Sequence, residues 1–305
     1  MLMRKPFPYI IIGILLFYMI NATFSPQKVV AKVMDHTKYQ MDWSYSKLTK
    51  KPFRTELIKT ADGKIAFCLT VHLKSPSGQD LPEMGKVDDL VYRVLLHGHP
   101  QTSMQELGVS NWRIAHYATQ LAVWIASKQI DINDLDFRNK QVETVTKSIL
   151  AKAKSNNEVQ EISMSVSPSA EQKAILHGEF FETGLYTVQT NAKDGTYKIQ
   201  TTNAPQGVKF VNKNNEAKTE FTVGEKFRIL IPKQTSSGGF SFKVSGYLTK
   251  LQGISFKGTP IIQNTVVLLE RSKEQTSPNF PVNWKKTSTP NKQNTPNKSS
   301  TPYKH

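Results

Sequence analysis

Cys68 is the only cysteine of this 305-residue chain, and a thiol is the best nucleophile its side chains offer. A lone thiol is buried and inert, paired with another molecule, or committed to some other chemistry. Gln120 is the second group of interest. It falls in the middle of a helical pattern, and at about 100° per residue it shares a face with Arg113, His116, Tyr117, Val123, Trp124 and Ser127. The opposite stripe, Ile114, Ala115, Ala118, Leu121, Ala122 and Ile125, is ordinary core. A face that sets two aromatics beside a Gln and a His needs a polar partner, so something polar is expected to meet Gln120. The bland readings are a small buried cysteine and a surface glutamine. His72, His97, His99 and His116 raise metal or Cys/His protease chemistry, but none of their pairs has helical ligand spacing in a metal motif. No cysteine-protease signature surrounds Cys68 either. Neither metal nor cofactor is expected.

Several elements must position these residues. Lys64 to His72 (KIAFCLTVH) alternates like a strand, with Ile65, Phe67, Leu69 and Val71 on one face and Cys68 on the other. Asp88 to His97 reads as a helix stopped by Gly98 and Pro100. A second helix runs from about Asn111 to Lys128, capped by Ser110 or Asn111, and a third from Phe137 to Ala153. From Ile162 onward the pattern is of short strands separated by Asn, Gly, Asp and Pro. The fold class expected is α+β, a β sandwich or barrel with an inserted helical subdomain. One composite domain over 32–270 would hold a helical part at about 86–155 and β parts at 60–75 and 160–270. Two separate domains are the other arrangement this order allows.

Both ends differ in composition from this middle. Arg4 and Lys5 precede an apolar run from Pro8 to Ile20, shorter than the roughly 20 residues of a membrane span, so 1–31 is expected to be a signal peptide. Cleavage is expected at Val29-Val30-Ala31 or nearer Ala22 or Ser25. Residues 271–305, rich in Lys, Thr, Pro and Asn, are expected to be a disordered tail. The formal net charge of +16 is spread along the whole length. Without a groove of alternating Arg and aromatic residues, it points to anionic surfaces rather than nucleic acid.

One resemblance sharpens this reading. Tyr117-Ala118-Thr119-Gln120-Leu121-Ala122-Val123-Trp124 resembles the TQxAxW segment of the thioester domains of Gram-positive surface adhesins, and Phe67-Cys68 is similar to that family's cysteine strand. Val91 to Pro100 resembles its helix with a Gly and Pro turn, and GGFSFKVSGYL and Gln263 resemble its closing strands. The resemblance covers most of Lys64 to Glu270 and is weakest before Lys64.

It implies an internal thioester between Cys68 and Gln120: a soft nucleophile displaces ammonia from a primary carboxamide and leaves an acyl group reactive toward amines. Tyr117 and Trp124 would roof the bond against water, and His72 or His116 could at most shuttle a proton. The implied function is a secreted, cell-surface or cell-wall adhesin for host attachment. It is a single-turnover covalent binding protein rather than an enzyme, and its partners would be Lys amines of host or neighbouring-cell proteins. Two other readings are a noncovalent surface-binding module and a transglutaminase-like nucleophile. The departure from the family lies at the C-terminus, where no Leu-Pro-x-Thr-Gly sorting signal is found. The basic tail is therefore expected to associate with anionic cell-wall polymers.

Overall fold

The computed structural model describes residues 28–33 and 41–286. The chain divides into two compact units, one reaching Gln160 and resuming over Leu251–Leu269, the other spanning Glu161–Lys250 and the chain from Glu270.

In the first unit, β1 (Lys28–Val33) pairs antiparallel with β3 (Ile58–Thr60) and β5 (Ser77–Lys86), and β3 pairs with β4 (Ile65–Cys68). On its other edge β4 meets Thr265–Val267, the start of β16 (Thr265–Thr276), while β5 meets the end of β15 (Gly238–Phe256). A separate small ladder joins β2 (Ser44–Ser46) to β6 (Leu135–Phe137). With a strand on each edge, β4 buries Ala66, Phe67 and Cys68 in succession. The expectation of one apolar and one polar face over Lys64 to His72 is therefore wrong. The strand ends at Cys68, and the chain bends away through His72, whose φ is +65°.

Three helices follow β5, as the order of elements predicts. Asp88 caps α1 (Asp89–His97) by accepting from Leu90 and Val91 N–H, and Gly98 closes it. Asn111 caps α2 (Trp112–Ala126) and Asn139 caps α3 (Lys140–Ser155). The third helix does not start at Phe137, which belongs to β6, because the side chain of Asn139 accepts from Gln141 and Val142 N–H and sets the start there. Helix α2 is buried on almost every side, with only Trp112, Arg113 and Ile125 partly open, as an element hydrophobic nearly all round should be.

The second unit is all strand. One ladder sets β7 (Met164–Ser167) on β10 (Tyr186–Thr190) and β10 on β14 (Lys226–Pro232). β14 also carries β12 (Lys209–Asn212) and β9 (Phe180–Glu182), which pairs with β8 (Gln172–His177). The other ladder runs β13 (Phe221–Thr222), β11 (Asp194–Thr202), β15, β17 (Phe280–Trp284). Their inward rings meet: Tyr186 and Phe227 stack at 5.2 Å, and Phe242 stands edge-on to both. The fold class is α+β with a helical insert, and no barrel closes among the described residues.

The single composite domain thus becomes two units, and the expected tail begins too early. β16 continues to Thr276, and β17 buries Phe280, Val282 and Trp284 at alternate positions. That alternation was masked by the Pro, Asn and Lys around it. The rest of the tail, 287–305, lies outside the described residues, as does the expected signal peptide up to residue 27. Lys28 to Ala31 belong to β1, so cleavage near Ala22 or Ser25 keeps that strand whole. Among the described residues no helix is long and apolar enough to cross a membrane.

Candidate thioester site

The register of the β3–β4 ladder shows how the site is made. Ile58 lies opposite Ala66, so two further residues of pairing would set Glu56 opposite Cys68. Pairing stops before that point, and the side chain of Gln120 takes the vacated ladder position. Its Nε2 donates to Cys68 O at 2.8 Å, and its Oε1 accepts from Cys68 N–H at 2.8 Å. The two backbone partners settle which end of the carboxamide is which, since one can only donate and the other only accept. Strand β4 therefore brings the thiol and α2 brings the carboxamide, and both side chains are buried, Cys68 at 0% and Gln120 at 1% exposure. The polar partner expected for Gln120 is the backbone of Cys68 itself.

Helix α2 is held at that depth by its neighbours. Thr119, next to Gln120, accepts from His99 N–H at 2.9 Å and donates to Ala115 O at 2.8 Å. Any side chain at Gly98 would collide with Thr119, so α1 must end in glycine for the two helices to approach. The Thr146 hydroxyl of α3 donates to Ala118 O.

The surroundings favour a neutral site. Burial pushes the Cys68 thiol well above its usual range and the charge of Glu56 pushes it further, while the Thr55 and Ser75 hydroxyls act in the opposite direction. His116 stacks on Phe67, the residue before the thiol, at 5.0 Å and 22°. Burial drops its pKa to about 4, opposed by the Glu56 backbone and helped by His99, so the ring is neutral near pH 7. Addition of Sγ to the Gln120 carbon would gather negative charge on Oε1. Cys68 N–H already points at that oxygen, and Thr55 Oγ1 stands 3.5 Å from it. Preorganised donors of this kind are worth about 3 to 4 kcal/mol each at an oxyanion when well aligned.

The other anticipated residues take different places. The Tyr117 hydroxyl donates to Phe53 O at 2.7 Å and its ring meets the edge of Trp43. It thus fastens the segment that carries Thr55. Trp124 is buried one helical turn beyond Gln120. His72 is exposed and stacks on Phe53 at 5.8 Å. His97 instead pairs with Glu158 at 3.1 Å. Among the described residues no group of three or more His, Cys, Asp or Glu is gathered as a metal would need. Thr55, Glu56 and Ser75 escaped sequence reasoning, and only the ladder register, once known, points to position 56.

Residues 65–155 match the family model described as TED, thioester domain. No curated protein is significantly similar to the chain. Among solved structures, the Bacillus anthracis TIE protein aligns with a TM-score of 0.80 and 47% identity over 85% of this chain and 49% of its own. The chain therefore spans about half the length of that protein. The thioester domain of the Enterococcus faecium TIE86 protein aligns with a TM-score of 0.71 over 86% of this chain and 98% of its own, and at 22% identity it speaks to the fold alone. With the matched segment holding both Cys68 and Gln120, and with the 47%-identical Bacillus anthracis protein, the chain carries a thioester domain of the Gram-positive type.

Proposed function

We propose that Cys68 and Gln120 condense to an internal thioester, and that this bond is used once to attach the protein covalently to an amine on another surface. In the first step Sγ bonds to the side-chain carbonyl carbon of Gln120, the C–Nε2 bond breaks, and the thiol proton leaves with ammonia. In the second, a Lys amine of a target protein adds to the same carbon, the C–S bond breaks, and an isopeptide remains with Cys68 as a thiol again. The observation that carries this reading is the reciprocal pair of 2.8 Å hydrogen bonds between the Gln120 carboxamide and the Cys68 backbone. It fixes the electrophile beside the nucleophile and points a donor at the developing oxyanion. No step regenerates the carboxamide, so the protein acts as a single-turnover covalent binder at the bacterial surface rather than as an enzyme.

Intact mass tests the reading. Chain purified near neutral pH without amine buffers should be lighter than its sequence by one ammonia and resist thiol reagents. Methylamine should then add its own mass and expose the Cys68 thiol. A chain of unshifted mass with a fully reactive thiol would leave a noncovalent surface module as the reading that stands.

A further inference from the structure

Cys68 has a polar neighbour on each edge of its strand. On one edge stands the Gln120 carboxamide; on the other, Thr265 of β16 is paired directly with Cys68. The N–H and O of Cys68 both go to Gln120, and Leu69 N–H donates to Asn264 O at 2.8 Å, so Cys68 and Thr265 form a non-hydrogen-bonded pair. Side chains of such a pair lie on one face of the sheet, with Cβ atoms roughly 4.5 to 5.5 Å apart. Both residues are at 0% exposure. With Thr55 and Ser75, whose hydroxyls act on the Cys68 sulfur, Thr265 makes a third hydroxyl beside the thiol. The first two are engaged. Thr55 Oγ1 lies 3.5 Å from both Glu56 O and Gln120 Oε1, and Ser75 Oγ accepts from Gln263 Nε2 at 3.1 Å. Thr265 Oγ1 is buried with no hydrogen-bond partner among the described residues, and an unmade bond at that depth is costly. A valine would fill the same volume without that cost, so packing alone does not account for a threonine here.

We propose that Thr265 is a catalytic residue of the thioester chemistry: its hydroxyl donates to Cys68 Sγ while that atom carries negative charge. The proposal rests on the thioester reading and adds the group that stabilises the sulfur. Sγ is charged twice, as the thiol attacks the Gln120 carbon and as the C–S bond breaks under the amine. Burial makes a bare sulfur anion costly at this depth. Gln120 holds the other edge of β4, so Thr265 approaches the sulfur from the side away from the carboxamide and does not obstruct attack. A neutral thiol is a weak acceptor, which is why the hydroxyl finds no partner before reaction. A hydrogen bond absent from the resting chain and made only as charge develops lowers the barrier by its whole strength. Thr265 moves no proton in this scheme. The thiol proton leaves with ammonia in the first step, and in the second the proton shed by the amine ends on Sγ.

The test uses the full chain, purified under denaturing conditions and refolded, with ammonia loss and then methylamine addition followed by intact mass. Thr265→Val keeps the shape and removes the hydroxyl. It should slow both steps about tenfold, the worth of one hydrogen bond to a charged group. Its denaturant midpoint should match or exceed wild type, because an unpartnered buried hydroxyl has gone. Thr265→Ser keeps the hydroxyl and loses a methyl, so it should fall below wild type in stability yet stay within about threefold of its rates. The two variants thus rank one way in stability and the opposite way in rate, which a packing role cannot produce. Wild-type rates in Thr265→Val at either step overturn the proposal, as does a Thr265→Ser chain slowed as much as Thr265→Val. Should Thr265→Val not fold, Thr265→Ser against Thr265→Ala isolates the hydroxyl in the same manner, and equal rates in that pair overturn it. A wild-type chain that never loses ammonia would instead remove the underlying reading, so the two failures are distinct.

Discussion

The cores of the two units are built for different ends. In the second unit Phe227 touches the rings of Tyr186, Tyr197, Phe210, Phe221 and Phe242, a cluster whose chemistry is burial of aromatic surface. In the first, the deepest layer also holds Thr55, Cys68, His116, Thr119 and Gln120, all at 2% exposure or less. Polar groups at that depth weaken a fold unless each finds a partner, and the Gln120 carboxamide finds its partner in the very residue it is placed to acylate. The difference teaches that one core maximises packing, while the other gives up some packing to hold reactive groups dry and in register.

Substitutions should therefore part into those that abolish chemistry and those that weaken the fold, and the largest effect belongs to the reacting pair. Cys68→Ala and Gln120→Ala should both eliminate the loss of ammonia and all amine capture, read by intact mass. They should differ in stability. Both lose the stabilising constraint of the crosslink; Gln120→Ala further strands Cys68 N–H and O without partners, at a cost of about 1 to 3 kcal/mol, whereas Cys68→Ala keeps the backbone bonds to the intact Gln120 carboxamide and leaves a small void. Next comes Phe227→Ala, expected to destabilise by about 3 to 5 kcal/mol in denaturant melts while chain that remains folded still shows the ammonia loss. If that loss disappeared as well, the division of labour between the cores would fail.

The pH dependence sharpens the same contrast. The folded-state pKa of His116, about 4, lies below its ordinary value of 6.5, so as pH falls the unfolded chain takes up the proton first. Stability is fully present above about pH 6.5 and is lost as pH drops to about 4, by on the order of 3 kcal/mol. His116→Asn should flatten that portion of the curve. The smallest effect is that of Tyr117→Phe, which removes the bond to Phe53 O at about 1 kcal/mol. It should slow thioester formation by loosening the Thr55 segment, visible as delayed ammonia loss after refolding.

The helices and the reacting pair were legible because short-range rules govern them. Asp88 and Asn111 cap where their types predict, Gly98 ends α1, and the segment around Gln120 keeps its motif unbroken. What escaped depends on distant neighbours. Lys64 to His72 alternates along its whole length, yet the strand stops at Cys68, where a glutamine from a helix takes the place of the next strand residue. Thr55 and Glu56 carry no local signal, since their place at the site comes from a ladder that stops two residue pairs before Cys68. β17 alternates plainly at Phe280, Val282 and Trp284, but a compositional average over the last 35 residues hides five. The division into two units was obscured because the chain leaves the first at Gln160 and returns for Leu251–Leu269.

The attachment point proposed for this protein is rooted in the middle of α2, far from either end of the chain and gripped by α1 and α3. A pull from the captured surface would enter the molecule sideways at the centre of a buried helix. It could not peel a strand from a terminus, one hydrogen bond at a time. To give way, the helix would have to leave its packing as a block, breaking the contacts of Thr119 and Ala118 with the loop after α1 and with α3 together. The placement that chemistry requires for dryness thus doubles as a mechanical anchor, in which a load is shared among many contacts at once instead of being met in series.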